Sequence, residues 1–164
     1  MATRWVSVTG SRTYPVTKEQ YDLLDPNDKL DALAKGKALV EYNMAHFPSD
    51  FGIVSGGAKG PDKWAENAAR ERGLEVVIYP AEWKKLGIGA GKARNKLIAQ
   101  HADSCLVFWD GVSRGTADFI RKAFRLRREI WLIGPSGTPW AIYDDEYWSQ
   151  IDPDDPPRME IPRG

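Results

Sequence analysis

Short apolar runs alternate with longer segments of mixed polarity along this 164-residue chain. Each run spans five or six residues, contains branched aliphatic or aromatic side chains, and is bounded by glycine, proline or polar residues. This pattern is typical of strands. It predicts strands at residues 4–9, 51–55, 74–79, 104–109 and 129–133.

Segments between the predicted strands carry apolar residues at near-helical spacing. Asp28 suits an N-cap, Pro61 suits a first helical position, and Gly73 suits a helix end. The predicted helices are residues 29–47, 61–73, 90–101 and 115–127, after a polar stretch at residues 13–28. The alternation predicts an α/β protein with three layers, α/β/α, around a mostly parallel sheet of five or more strands.

Glycine-rich turns follow predicted strands or open predicted helices. They are residues 10–12, 55–62, 87–95 and 111–116. In a parallel sheet the turns after the strands meet at one edge, and helix N-termini there offer backbone N–H groups to anions. Basic side chains lie in the longer turns: Lys59, Arg94 and Arg114. The sequence therefore predicts one electropositive pocket for a phosphate-bearing ligand.

The chemistry of the side chains in these turns suggests their roles. Lys59, Arg94 and Arg114 would neutralise phosphates, and Asp62 or Asp110 would accept hydrogen bonds from ribose hydroxyls. Tyr14 and Trp83 offer rings that stack on a base. The predicted ligand-binding residues are Gly10, Ser11, Arg12, Ser55, Gly56, Gly57, Lys59, Gly60, Asp62, Trp83, Gly91, Arg94, Asn95, Asp110, Ser113, Arg114, Gly115 and Thr116.

Each of these roles has a purely structural alternative. Asp62 would only complement a helix dipole, and Thr116 would only cap a helix. Arg94 would pair with a carboxylate such as Glu82, and Trp83 would pack against the fold. Both kinds of reading stay open at the level of sequence.

The overall charge limits the classes of partner. The formal net charge is zero, which disfavours a surface that tracks nucleic acid along its whole length, although it allows a local basic pocket. The single cysteine, Cys105, lies in an apolar run and is expected in the core, as suits a reducing cytoplasm. No signal peptide, membrane span, metal site or cofactor is predicted.

The motifs, taken in order, resemble one known group of proteins. The segments are residues 9–12 (TGSR), 55–62 (SGGAKGPD), 80–83 (PAEW), 91–95 (GKARN) and 113–116 (SRGT). They are similar to the YspA-like branch of the SLOG superfamily, which groups DNA-processing DprA/Smf proteins with the LOG nucleotide phosphoribohydrolases. The resemblance implies a Rossmann-like fold and a nucleotide or ADP-ribose-like ligand. It also implies a link to phage conflict and self-association into homo-oligomers.

One departure bears on catalysis. The LOG enzymes resembled here carry the motif Pro-Gly-Gly-x-Gly-Thr-x-x-Glu. Aligned on Gly115 and Thr116, the glutamate position is Phe119, and Asp118 is one residue away. Phe119 has no proton to exchange, so the sequence favours ligand binding as sensor or sequestering protein. The alternatives are nucleotide hydrolysis, with Asp62, Asp110 or Asp118 as the catalytic carboxylate, and single-stranded DNA binding of DprA type.

The segment after residue 134 differs in composition from the rest of the chain. It is rich in proline, aspartate and aromatic residues. We predict a nucleotide-binding domain at residues 1–134 and a C-terminal extension at residues 135–164. Aromatic residues of the extension would pack on the domain or on a partner: Trp140, Tyr143, Tyr147 and Trp148. The last ten residues are expected to be mobile.

Overall fold

A computed structural model, which describes residues 1–155 and 159, contains one six-stranded sheet with the strand order β3-β2-β1-β4-β5-β6. The first five strands run parallel, and β6 is antiparallel to β5. The strands are β1 Arg4–Gly10, β2 Phe51–Ser55, β3 Glu75–Ile78, β4 Ser104–Phe108, β5 Glu129–Ile133 and β6 Pro139–Tyr143. The predicted α/β class with a mostly parallel, Rossmann-like sheet is confirmed.

Helices cover both faces of the sheet. They are α1 Lys18–Asp22, α2 Pro26–Met44, α3 Pro61–Glu71, α4 Trp83–Leu86, α5 Ala90–His101, α6 Arg114–Arg125 and α7 Asp145–Ser149. A 3₁₀ turn, Gly87–Gly89, joins α4 to α5. Among the described residues, no helix combines the length and the apolar character needed to cross a membrane.

Two apolar clusters, one on each face, hold the layers together. Val40 and Met44 of α2 pack with Ile53 on one face, and Ile98 of α5 packs with Phe119 of α6 on the other. Strand β4 is buried along its whole length because both of its faces are covered, which explains its nearly continuous apolar sequence. Cys105 lies in this strand and is fully buried, as predicted.

The region before α2 differs from the prediction. Helix α2 begins at Pro26, and its N-cap is Asp25, which accepts a hydrogen bond from the Asp28 backbone at 2.8 Å. Asp28 is therefore not the N-cap, because the proline at the first helical position starts the helix earlier. The polar stretch also holds the short helix α1, where Thr17 and Gln20 form a capping box.

The residues after 134, which the sequence predicts to be a C-terminal extension, pack on the rest of the chain. Residues Pro139–Tyr143 form β6 on the edge of the sheet, and Phe124 of α6 meets the rings of Tyr143 and Trp148 at centroid distances of 5.1 and 4.8 Å. Trp148 also donates from Nε1 to the Arg128 carbonyl at 2.9 Å. Of the two predicted packing partners, the structure shows the domain itself. The expectation of a mobile end concerns residues that, apart from Asp155 and Met159, lie outside the described part of the chain.

Candidate functional site

The carboxyl end of β1 and the loops that follow β2 and β4 open onto one cavity of about 670 Å³, which we call the switch-point cavity. The strand order turns back beside β1, because β2 lies on one side of it and β4 on the other. Crevices at such points are the usual ligand sites of open α/β sheets. The predicted residues that line the cavity are Gly10, Ser11, Arg12, Asp62, Trp83, Gly91, Arg94, Asn95, Asp110, Ser113, Arg114, Gly115 and Thr116, and the catalytic candidate Asp118 lines it as well.

Five predicted ligand-binding residues do not line the cavity: Ser55, Gly56, Gly57, Lys59 and Gly60. Lys59 is exposed on the loop between β2 and α3. The Ser55 hydroxyl donates to the buried Glu66 carboxylate at 2.8 Å and accepts from the Gly57 backbone at 3.2 Å. The loop residues thus shape the wall behind the cavity, and the three basic residues of the turns do not all meet there.

Gly60 fits this loop closely against the turn after β1. Its φ of +89° belongs to the left-handed region, and a Cβ there would lie 2.8 Å from the Arg12 carbonyl oxygen. Only glycine meets both requirements without strain. Because Gly60 is also the residue before α3, this contact fixes where the helix begins relative to the cavity.

Asp62 is a buried carboxyl group at the wall of the cavity. Its side chain is 3% exposed, and Oδ2 accepts a hydrogen bond from the Gly56 backbone at 3.1 Å. Oδ1 is buried and has no hydrogen-bond partner among the described residues. Burial raises the pKa of Asp62 to about 6, although the Arg94 guanidinium and the backbone N–H groups of Gly56 and Ala58 oppose the shift. A carboxyl group with these properties can accept a hydrogen bond from a hydroxyl group or exchange a proton near neutral pH.

Arg94 holds the glycine-rich loop from the side of α5. Its Nη1 donates to the Gly56 carbonyl at 2.8 Å, and Nε is buried without a partner among the described residues. The alternative of a pair with Glu82 is wrong, because Glu82 lies on the exposed segment before α4 and faces Lys85 at 3.9 Å. Arg94 therefore has part of its guanidinium committed to the loop, with its charge close enough to influence Asp62.

Asn95 links the two helices that flank the cavity. Its Nδ2 donates to the Gly115 carbonyl at 3.2 Å and to Asp118 Oδ2 at 3.0 Å, and Lys122 donates to the same Asp118 oxygen at 2.6 Å. Burial alone would raise the pKa of Asp118, but the hydrogen bonds from Lys122 and Asn95 outweigh it and hold the pKa below its usual value. Asp118 is thus an ionised anchor between α5 and α6.

Asp110 shapes the turn that leads into α6. Its Oδ1 accepts from the backbones of Val112 and Ser113 at 2.9 and 2.8 Å, and its own backbone N–H donates to the Ser11 hydroxyl at 3.1 Å. Thr116 is not an N-cap, since Ser113 occupies that position and makes no side-chain cap. The first N–H groups of α6 are therefore left without a capping side chain.

Two further helices that reach the cavity, α3 and α5, also begin without a side-chain cap. Gly60 before α3 and Gly89 before α5 have no side chain to cap the helix. First-turn residues of all three helices line the cavity, namely Asp62 of α3, Gly91 of α5 and Gly115 of α6. Helix N-termini attract anions because their N–H groups lack partners and the helix dipole is positive there.

The two aromatic candidates have different environments. Tyr14 is fully buried, and its hydroxyl donates to the Gly134 carbonyl at 2.6 Å. The prediction that Tyr14 stacks on a base is therefore wrong. Trp83 is 56% exposed at the rim of the cavity, beside Gly91. Trp83 therefore packs against the fold with only part of its side chain and leaves more than half of it open at the rim.

The charge of the cavity is closer to balance than the sequence indicates. Its basic residues are Arg12, Lys18, Lys92, Arg94 and Arg114, and its acidic residues are Glu19, Asp62, Asp110 and Asp118. Lys92 was missed as a site residue because a lysine in a glycine-rich segment has no feature that distinguishes it from a surface charge.

Comparison with known proteins shows a likeness of fold. No family model and no curated protein matches the chain. Three solved structures are similar. DNA processing protein A (DprA) of Streptococcus pneumoniae is 21% identical, with a TM-score of 0.49, and the match covers 80% of this chain and 50% of DprA. TM1055, a structural genomics target, is 22% identical, with a TM-score of 0.48 and coverage of 79% of this chain and 72% of TM1055. The molybdenum cofactor binding protein of the phototrophic bacterium Rippkaea orientalis is 14% identical, with a TM-score of 0.51 and coverage of 82% of this chain and 78% of that protein. The chain spans about half the length of DprA. The likeness to the third protein, whose TM-score is above 0.5, shows a shared Rossmann-like fold.

Proposed function

We propose that this protein binds a nucleotide or an ADP-ribose-like ligand in the switch-point cavity and acts as a sensor or sequestering protein. The observation that carries the proposal is the convergence of three helices without side-chain caps on one cavity that also holds a buried carboxyl with an unpartnered oxygen. Anion-binding N–H groups and a hydroxyl acceptor are the two features that a phosphorylated ribose requires.

The phosphate fits best at the start of α6. Gly115 and Thr116 contribute backbone N–H groups there, and the exposed Arg114 side chain lines the same wall without an ion-pair partner among the described residues. A guanidinium adds a charge-assisted, two-pronged contact to the phosphate oxygens.

The ribose fits best at Asp62. A buried acceptor without a donor costs about 1–3 kcal/mol, and a ribose hydroxyl that donates to Oδ1 removes this cost. Trp83 at the rim would then cover the base.

Isothermal titration calorimetry with nucleoside monophosphates, ADP-ribose and the parent nucleosides tests the proposal. We expect the phosphorylated compounds to bind and the nucleosides to bind much more weakly. Arg114→Ala should lower the affinity about tenfold, since a charged hydrogen bond contributes about 1.5–3 kcal/mol. The control is Arg70→Ala, which removes an exposed arginine outside the cavity. Equal affinity of the two variants, or no binding across the panel, would contradict the proposal.

Hydrolysis of a nucleotide is the second candidate, and the raised pKa of Asp62 favours it. A buried carboxyl that titrates near pH 6 is suited to general acid–base catalysis. Asp110 and Asp118 are less suited, because Asp110 Oδ1 accepts two backbone N–H groups and Asp118 Oδ2 accepts from Asn95 and Lys122. Incubation with nucleoside monophosphates and ADP-ribose, followed by chromatography, would reveal free base or phosphate. Turnover that Asp62→Asn abolishes would replace the binding proposal with this one.

A further inference from the structure

A second and larger cavity, of about 1640 Å³, adjoins the switch-point cavity along α6, and we call it the α6 groove. The two cavities are adjacent, because six residues line both of them. The shared residues are Thr17, Lys92, Asp110, Val112, Arg114 and Asp118. The switch-point cavity has the volume of an ordinary small-ligand site, whereas the α6 groove exceeds the usual range of about 300–1,000 Å³. The site therefore has room for more than one nucleotide.

Three arginines of α6 line the groove: Arg114, Arg121 and Arg125. At about 100° per residue, Arg121 and Arg125 lie within about 20° of the direction of Arg114, so the three form one stripe. The stripe extends about 16 Å along the helix at 1.5 Å per residue. All three are exposed, and none forms an ion pair with a carboxylate of the described residues.

The groove has a clear excess of positive charge, unlike the chain as a whole. Lys35 and Lys92 add to the three arginines, while the acidic residues that line it are Asp110 and Asp118. Lys122 neutralises Asp118 at 2.6 Å. In a chain of zero net charge, this local excess indicates an anionic occupant.

The far wall of the groove offers an aromatic surface. Trp140 of β6 is partly exposed and meets Trp109 edge to face at a centroid distance of 6.0 Å. The groove thus repeats the combination of the switch-point cavity, namely basic groups beside an indole ring. This combination suits a phosphate that is followed by a second base.

We propose that the ligand is a dinucleotide whose first nucleotide occupies the switch-point cavity and whose second phosphate binds to Arg121 and Arg125 in the α6 groove. The inference rests on the proposed function, because the first nucleotide occupies the site assigned there. Arg121 lies about 10 Å from Arg114 along the helix at 1.5 Å per residue, and one nucleotide unit together with the long arginine side chains spans this distance.

Calorimetric titrations at fixed ionic strength test this inference. The probes are the four nucleoside 5′-monophosphates and the corresponding linear 5′-phosphorylated homodinucleotides. We expect the best dinucleotide to bind at least about tenfold more tightly than its mononucleotide, as one added charged contact allows. In Arg121→Ala/Arg125→Ala this advantage should disappear, while mononucleotide affinity stays unchanged. The matched control, Arg70→Ala/Lys96→Ala, removes two positive charges outside both cavities and should keep the advantage.

The outcomes separate the two proposals. Mononucleotides that bind without any dinucleotide advantage overturn the inference and leave the proposed function intact. Loss of the advantage in the control variant as well as in the groove variant also overturns the inference, since general charge then explains it. Absence of binding by every probe overturns the proposed function itself. A single-stranded oligonucleotide of about twelve nucleotides that binds about a hundredfold more tightly than the dinucleotide identifies the groove as a polynucleotide site. This result overturns the dinucleotide proposal.

Discussion

At the scale of single residues, Asp62 is the side chain on which the proposed chemistry of the site depends most. The sequence places this carboxylate in the first turn of a helix, where it would ordinarily be ionised and favoured by the dipole. The fold buries it, gives one oxygen a backbone donor and leaves the other without a partner among the described residues. Burial outweighs the effect of Arg94, and this balance depends on tertiary contacts that local sequence does not reveal.

Asp62→Asn gives a stability prediction with a definite sign. Folding raises the pKa of Asp62 from 3.8 to about 6, so between pH 3.8 and pH 6 the folded state binds more protons than the unfolded state. Asp62 therefore lowers the free energy of unfolding as the pH rises through this range. The full penalty is about 3 kcal/mol above pH 6. The asparagine variant lacks it, so its stability relative to wild type should rise by about 2–3 kcal/mol between pH 4 and pH 7 in urea unfolding. A pH-independent difference between the two proteins would contradict the raised pKa.

Other residues show where sequence reasoning stops. Tyr14 and Trp83 are both aromatic residues near glycine turns or prolines, yet one is buried and the other is 56% exposed. Asn95 was predicted to offer its donors to a ligand, but its Nδ2 is engaged by Gly115 and Asp118 of a different helix. Such pairings depend on how α5 and α6 pack against each other.

At the scale of elements, the five parallel strands follow from the apolar runs almost to the residue, because buried strands need continuous apolar sequence. Helices α1, α4 and α7 were missed because four or five residues are too few to show a helical period, and strand β6 was missed because it begins at a proline in a segment rich in proline and aspartate. The glycine-rich turns of the sequence indicated where helices α3, α5 and α6 begin. The position of Lys59 outside the cavity was not predictable, because the path of its loop depends on tertiary contacts such as that of Gly60 with Arg12.

Gly60→Ala tests how the loop after β2 positions α3. Both the positive φ and the contact with the Arg12 carbonyl oppose a side chain, so we expect destabilisation by about 2–3 kcal/mol together with weaker nucleotide binding. Gly73→Ala is the matched control, because Gly73 has a φ of +71° but nothing within 4 Å of the added carbon. The control should lose only about 1 kcal/mol and bind nucleotide normally. Equal losses of stability and affinity in both variants would show that the contact with Arg12 is unimportant.

At the scale of the whole molecule, the sheet order explains why distant segments meet. Turns separated by up to about a hundred residues share one cavity because β1 lies between β2 and β4. The chain is neutral as a whole, but basic residues outnumber acidic ones among the residues that line the α6 groove. The self-association implied by the resemblance to the SLOG superfamily stays a prediction, which light scattering in solution would check.

The most direct test of the account is an NMR titration of the isotope-labelled protein with ADP-ribose and with nucleoside monophosphates. We predict saturable shifts of the backbone amide signals at the starts of α3 and α6, with Asp62, Gly115 and Thr116 among the most affected. Signals from the exposed edge strand β3 should stay in place. Shifts confined to residues outside the switch-point cavity, or no shifts at millimolar ligand, would contradict the proposal that these helix ends form a nucleotide site.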